Sequence, residues 1–143
     1  MKKLNSVLMV DDDPISLYIN NTAISELELT EVFLFAGDGE EAFVILDDYF
    51  TRENEYPNLI FLDLKMQAMN GLEFIERVKT TDRYTLLINR IVVVSSSFAA
   101  ADIEKTRDMG VKWYVTKPLT KDSLLSLLAS TGRGEFYFSR SQS

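Results

Sequence analysis

The chain has 143 residues, enough for one domain with a buried core, and its 46% hydrophobic and 26% charged residues describe a globular chain, not a disordered one. It contains no cysteine and no histidine, which excludes disulfides, thiolate or imidazole metal sites, and any catalytic triad built on histidine. A net charge of −7 disfavours DNA or an anionic membrane as the main partner.

Val7 to Val10 reads as a first strand and runs into the acidic triplet Asp11-Asp12-Asp13. Pro14 suits a first helical turn with Asp13 as N-cap, and Ile15, Tyr18, Ile19, Thr22 and Ala23 form a helical stripe. Glu31 to Phe35 reads as a second strand, although Leu27-Glu28-Leu29 could also be extended. Gly37-Asp38-Gly39 is a turn, and Glu40 to Tyr49 a helix whose inner face is Ala42, Phe43, Leu46 and Phe50. Pro57 and Asn58 punctuate before the third strand, Leu59 to Leu62, which ends on Asp63. Beyond Asn70-Gly71, Leu72 to Lys79 has helical spacing through Leu72, Ile75 and Val78. Asn89 to Val94 is the fourth strand, Ala100 to Met109 a helix closed by Gly110, and Lys112 to Val115 the fifth strand. Thr120 or Lys121-Asp122 opens a last helix with an apolar face of Leu124, Leu125, Leu127 and Leu128. The remaining tail is polar at its end but carries Phe136-Tyr137-Phe138.

Strands alternating with helices predict an α/β fold with a parallel sheet. Such sheets gather the C-terminal ends of their strands along one edge, where ligands bind. Asp11-Asp12-Asp13, Asp63, Ser95 and Lys117 each follow an apolar run, so all are expected at that edge. Carboxylates beside a hydroxyl and an ammonium suggest a divalent cation and a phosphoryl group. Asp12 and Asp63 are candidate direct Mg²⁺ ligands, with Asp11 better placed for a water-mediated contact. Aspartate is also a phosphoryl acceptor in some enzymes, which suits a lone Asp63 leaving the core at the crevice. Which of Ser95, Ser96 and Ser97 points into the site is open from the pattern, as is the isomer of the Lys117-Pro118 bond. The bland alternatives are a solvated cap at Asp11 to Asp13 and a turn-initiating Asp63.

Taken together, Val7-Leu8-Met9-Val10-Asp11-Asp12-Asp13-Pro14, Leu59-Ile60-Phe61-Leu62-Asp63, Met66 through Asn70-Gly71, Ile91-Val92-Val93-Val94-Ser95 and Tyr114-Val115-Thr116-Lys117-Pro118 resemble the receiver domain of two-component response regulators. The resemblance covers about Asn5 to Ala129 and implies a doubly wound, five-stranded parallel sheet of flavodoxin-like order 2-1-3-4-5 with helices on both faces. It implies that Asp63 accepts a phosphoryl group from a phosphohistidine on a sensor histidine kinase or histidine phosphotransfer protein. It further implies Mg²⁺ held by Asp11, Asp12, Asp63 and the backbone carbonyl of Lys65. Ser95 matches the switch hydroxyl, Lys117 the lysine that contacts the phosphoryl group, and Tyr114 the aromatic that responds to Ser95. Ser95 and Lys117 lie 22 positions apart, as the family pattern expects, which favours Ser95 over its neighbours.

One departure is evident: the family usually has proline after the loop methionine, and Gln67 follows Met66 here. The expected organisation is a receiver domain over 1–130 and a C-terminal tail over 131–143, with no output domain. Output then passes through a downstream protein target of unknown identity, not through DNA or a membrane. The expected protein is a signalling phosphoacceptor, not an enzyme, although it supports its own phosphoryl transfer and dephosphorylation. No apolar run approaches the roughly 20 residues of a spanning helix, and Asn5, Ser6 and Asp11 interrupt any signal-peptide core, so the expected location is the cytoplasm. Two rivals remain. One is a phosphorylation-independent binding module of receiver fold. The other is an Asp-nucleophile phosphohydrolase of haloacid-dehalogenase type, although Asp63-Leu64-Lys65 lacks the second acid of that pattern.

Overall fold

A computed structural model describes residues 4–96 and 100–130. Five strands, β1 (Val7–Val10), β2 (Phe33–Ala36), β3 (Leu59–Leu62), β4 (Ile91–Ser95) and β5 (Trp113–Thr116), form one parallel sheet in the order 2-1-3-4-5. The helices are α1 (Pro14–Glu26), α2 (Gly39–Glu53), α3 (Gly71–Thr80), α4 (Ala100–Asp108) and α5 (Lys121–Ser130). This is the doubly wound architecture expected from the sequence. The central strands β1, β3 and β4 are buried along their whole length, which is why they read as unbroken apolar runs; β2 and β5, at the edges, are half open.

Alternate residues of the strands point to opposite faces and build two cores. Leu8, Val10, Ile60, Leu62 and Val93 meet α2 and α3; Val7, Met9, Leu59, Phe61, Val92 and Val94 meet α1 and α5. On the first face Phe43 stacks on Phe74 at 4.6 Å and tilts against Tyr84 at 4.9 Å.

Several boundaries differ from the sequence reading. β2 begins at Phe33 instead of Glu31, and β5 runs Trp113–Thr116 instead of Lys112–Val115. β4 starts at Ile91, because Asp82–Arg90 forms a 3₁₀ helix that the sequence reading did not anticipate. Helix α2 extends to Glu53, so its inner face ends on buried Tyr49, with Phe50 only partly covered.

The larger correction concerns α1. Of the expected stripe, Ile15, Tyr18, Ile19 and Thr22 are exposed while Ala23 is buried; Asn20 and Ile24 join it inside, with Leu17 and Leu27 packed beside them. Asn20 sits inside because its Oδ1 accepts the Leu119 N–H at 3.2 Å, so a polar residue occupies the inner stripe. On α5, Leu124, Leu127 and Leu128 are buried while Leu125, turned about 100° from its neighbour, faces out. The tail 131–143, with Phe136-Tyr137-Phe138, and Ser97 lie outside the described residues.

Candidate functional site

The strand order reverses between β1 and β3, and a crevice opens at their C-terminal ends. Asp11 leaves β1 and Asp63 leaves β3, each by extending the ladder one step: the Asp11 N–H donates to Ala36 and the Asp63 N–H to Val10. Asp13 then caps α1, its carboxylate accepting the Ile15 N–H at 3.0 Å ahead of Pro14.

Ligand oxygens of Asp11, Asp12 and Asp63 all lie within 4.8 Å of one another. Asp11 and Asp63 are buried, at 3% and 7% exposure, whereas Asp12 is exposed. Lys117, delivered by β5 just before a cis Pro118, reaches in from the other side. Its Nζ lies 2.7 Å from Asp11 Oδ2 and 3.4 Å from Asp63 Oδ2, and it donates to Ser16 Oγ at 3.2 Å. Ser95 ends β4 in full burial, pairs in register with Thr116, and its carbonyl accepts the Lys117 N–H at 2.9 Å. Tyr114, half-buried on β5, pairs in register with Val93 and packs on the α2–α3 core.

Burial and the charge of Asp11 raise the pKa of Asp63; the Lys117 ammonium and the Lys65 N–H pull the other way but do not cancel the rise. For Lys117, burial works against the charge, yet the hydrogen bond and charge of Asp11, then Asp63, outweigh it and its pKa is raised. All three clustered side chains are carboxylates, the hard oxygen donors that magnesium prefers, so they fit that ion.

The loop between β3 and α3 closes the site. Lys65 donates its N–H to Asp63 Oδ1 at 3.3 Å, and Asn70 forms a reciprocal capping box with Glu73 at the start of α3. A Cβ on Gly71 would lie 2.5 Å from the Asp63 carbonyl oxygen, so only glycine lets α3 start this close to the end of β3. An open cleft of about 530 Å³ beside the acids is lined by Asp12, Lys65, Met66, Gln67, Asn70 and Asp102.

The structure thus brings Asp11, Asp12, Asp63 and Lys117 together, with Lys65 beside them and Ser95 at the end of the adjoining strand. Two contributors were not anticipated. Ser16 is one of three acceptors around the Lys117 ammonium, and Asn20 holds the segment after Pro118 through Leu119. Ser16 lies 101 positions from Lys117, and a serine in a first helical turn carries no signal of such a contact.

The sequence pattern of the family described as "Response regulator receiver domain" matches residues 7–129. Among curated relatives, the nitrate/nitrite response regulator protein NarL of Escherichia coli (strain K12) is 30% identical over 134 residues, 94% of this chain but 57% of NarL, so the chain spans little more than half of that relative. A chemotaxis protein CheY homolog of Campylobacter jejuni is 30% identical over 90% of this chain and 95% of its own length. Among solved structures, a two component response regulator from Cytophaga hutchinsonii superposes with a TM-score of 0.79 at 30% identity, covering 92% of this chain and 99% of that one.

Proposed function

The chain belongs to the response regulator receiver family, and on that premise we propose that it is a phosphoacceptor switch in two-component signalling, modified on Asp63. Receiver domains are signalling modules, not ordinary enzymes. The observation that carries the reading is the Lys117 ammonium lying between Asp11 and Asp63, within a cluster of three carboxylates at the topological switch point.

Each residue then has a part. An Asp63 carboxylate oxygen attacks phosphorus in line; the O–P bond forms as the P–N bond of a partner phosphohistidine breaks and the imidazole departs. Asp11, Asp12, Asp63 and the Lys65 carbonyl are the groups that would hold Mg²⁺. The ion supplies neutralisation of charge on the transferring group. Lys117 gives its positive charge to a phosphoryl oxygen. Ser95 moves to donate its hydroxyl, and Tyr114 follows into the space vacated, altering the face built by α4, β5 and α5. The partners are a histidine kinase or phosphotransfer protein upstream and a protein target downstream. Among the described residues no helix is long and apolar enough to cross a membrane.

Incubation with Mg²⁺ and acetyl phosphate, followed by intact mass, tests the reading. A phosphoryl adduct is expected on the wild type and is expected to vanish in Asp63→Asn. Persistence of the adduct in that variant would move the acceptor elsewhere, and its absence from the wild type with Mg²⁺ bound would favour a phosphorylation-independent binding module.

A further inference from the structure

Each of the three clustered carboxylates accepts a main-chain N–H. Asp11 Oδ1 takes that of Asp13 at 2.9 Å, and Asp63 Oδ1 that of Lys65 at 3.3 Å. Both are local turns between a residue and its second neighbour. Asp12 differs. Its Oδ2 takes the N–H of Gln67, 55 positions along the chain, at 3.2 Å. Proline at position 67 would have no such proton to give.

The donor is well anchored. The loop that carries it is fastened at its ends, where the Gly71 N–H donates to the Leu64 carbonyl at 3.0 Å and the Gly39 N–H to the Met69 carbonyl at 3.0 Å. The acceptor is not: the Asp12 side chain is exposed, so packing does little to choose its rotamer. An anchored donor beside a loose carboxylate acts as an aiming device.

We propose that Gln67 is a positioning residue whose main-chain N–H orients the Asp12 carboxylate for a divalent cation, linking ion binding to the conformation of the loop over 64–71. The inference rests on the reading of the acidic cluster as a cation site. Two effects compete. The N–H draws charge from Oδ2, which weakens a metal contact, but it fixes the side chain with Oδ1 left for the ion and relieves repulsion among the three acids. Pre-orientation of the exposed ligand is the larger effect, because otherwise its ordering is charged to the binding step.

Calorimetric titration of Mg²⁺ into wild type, Gln67→Ala and Gln67→Pro separates the donor from the side chain. Alanine keeps the N–H and is expected to bind within about twofold of wild type, while proline is expected to bind at least about threefold more weakly. Thermal melts in chelator establish that the proline variant is folded. A second measurement needs no change at position 67: the Gln67 amide should exchange with solvent about tenfold faster in Asp12→Ala than in wild type. If wild type binds Mg²⁺ and the two variants bind alike, or if Gln67 exchange ignores Asp12→Ala, this inference fails alone. If wild type takes up no Mg²⁺, the cation-site reading fails and this inference with it.

Discussion

Burial of Asp63 beside Asp11 has a consequence for stability. A carboxyl whose folded pKa stands above its unfolded value of about 3.8 favours folding in its protonated form. That contribution is complete below the unfolded value and is lost as pH rises through the folded one. At neutral pH without a divalent cation, the ionised Asp63 therefore weighs against the native state. Asp63→Asn is expected to melt higher than wild type at pH 7 in chelator, with the gain shrinking as pH falls below about 4. Parallel melts at the two pH values check this; a less stable Asn variant at pH 7 would refute it. At this scale the sequence was informative about chemistry and silent about contact. Asp63 and Lys117 stood out because a charge directly after an apolar strand has to emerge at the crevice. Gln67 stood out only as a missing proline, and nothing in the sequence indicated that its N–H meets Asp12.

Among the elements, β1 and β3 were read to the residue, since strands buried on both faces leave continuous apolar runs. In helix α1 the expected stripe holds at Ala23 but not at its other positions. Its outward Ile15, Tyr18 and Ile19 imitate an inner stripe, and its buried Asn20 imitates an outer one. By hydropathy Asn20 belongs in water, whereas in the fold it has a main-chain partner 99 positions away. The 3₁₀ helix Asp82–Arg90 was missed for a related reason: Tyr84 and Leu87 are anchored by tertiary packing against α2 and α3, not by local periodicity. The observed phase makes a prediction. Ile24→Ala is expected to cost about 2–5 kcal/mol of unfolding free energy, whereas Ile19→Ser is expected to stay within about 0.5 kcal/mol of wild type. Urea denaturation distinguishes this from the alternative phase, which would give Ile19→Ser the larger loss.

For the molecule as a whole, the sheet converts four distant strand ends into one site, and the fold was legible because the alternation of strand and helix admits few arrangements. Closing three carboxylates to within 4.8 Å sets up repulsion that a divalent cation would relieve. Mg²⁺ at about 100 times its dissociation constant is expected to add about 2.7 kcal/mol, or about 5–10 °C in melting temperature for a chain of this size. Chelator should reverse the shift, and Asp12→Ala should abolish most of it; a melting point indifferent to Mg²⁺ would count against the cation site.

The Lys117 ammonium lies nearer Asp11 than Asp63. On the function proposed above, that preference would make it a latch. A phosphoryl group on Asp63 would have to draw the lysine away from Asp11, so the strength of that pair would set how readily the unmodified protein yields. A weaker pairing would ease that transfer of the lysine; a stronger one would demand more of every phosphoryl group that arrives. The threshold of the proposed switch would then lie in one short contact between the residues that follow the first strand and the fifth.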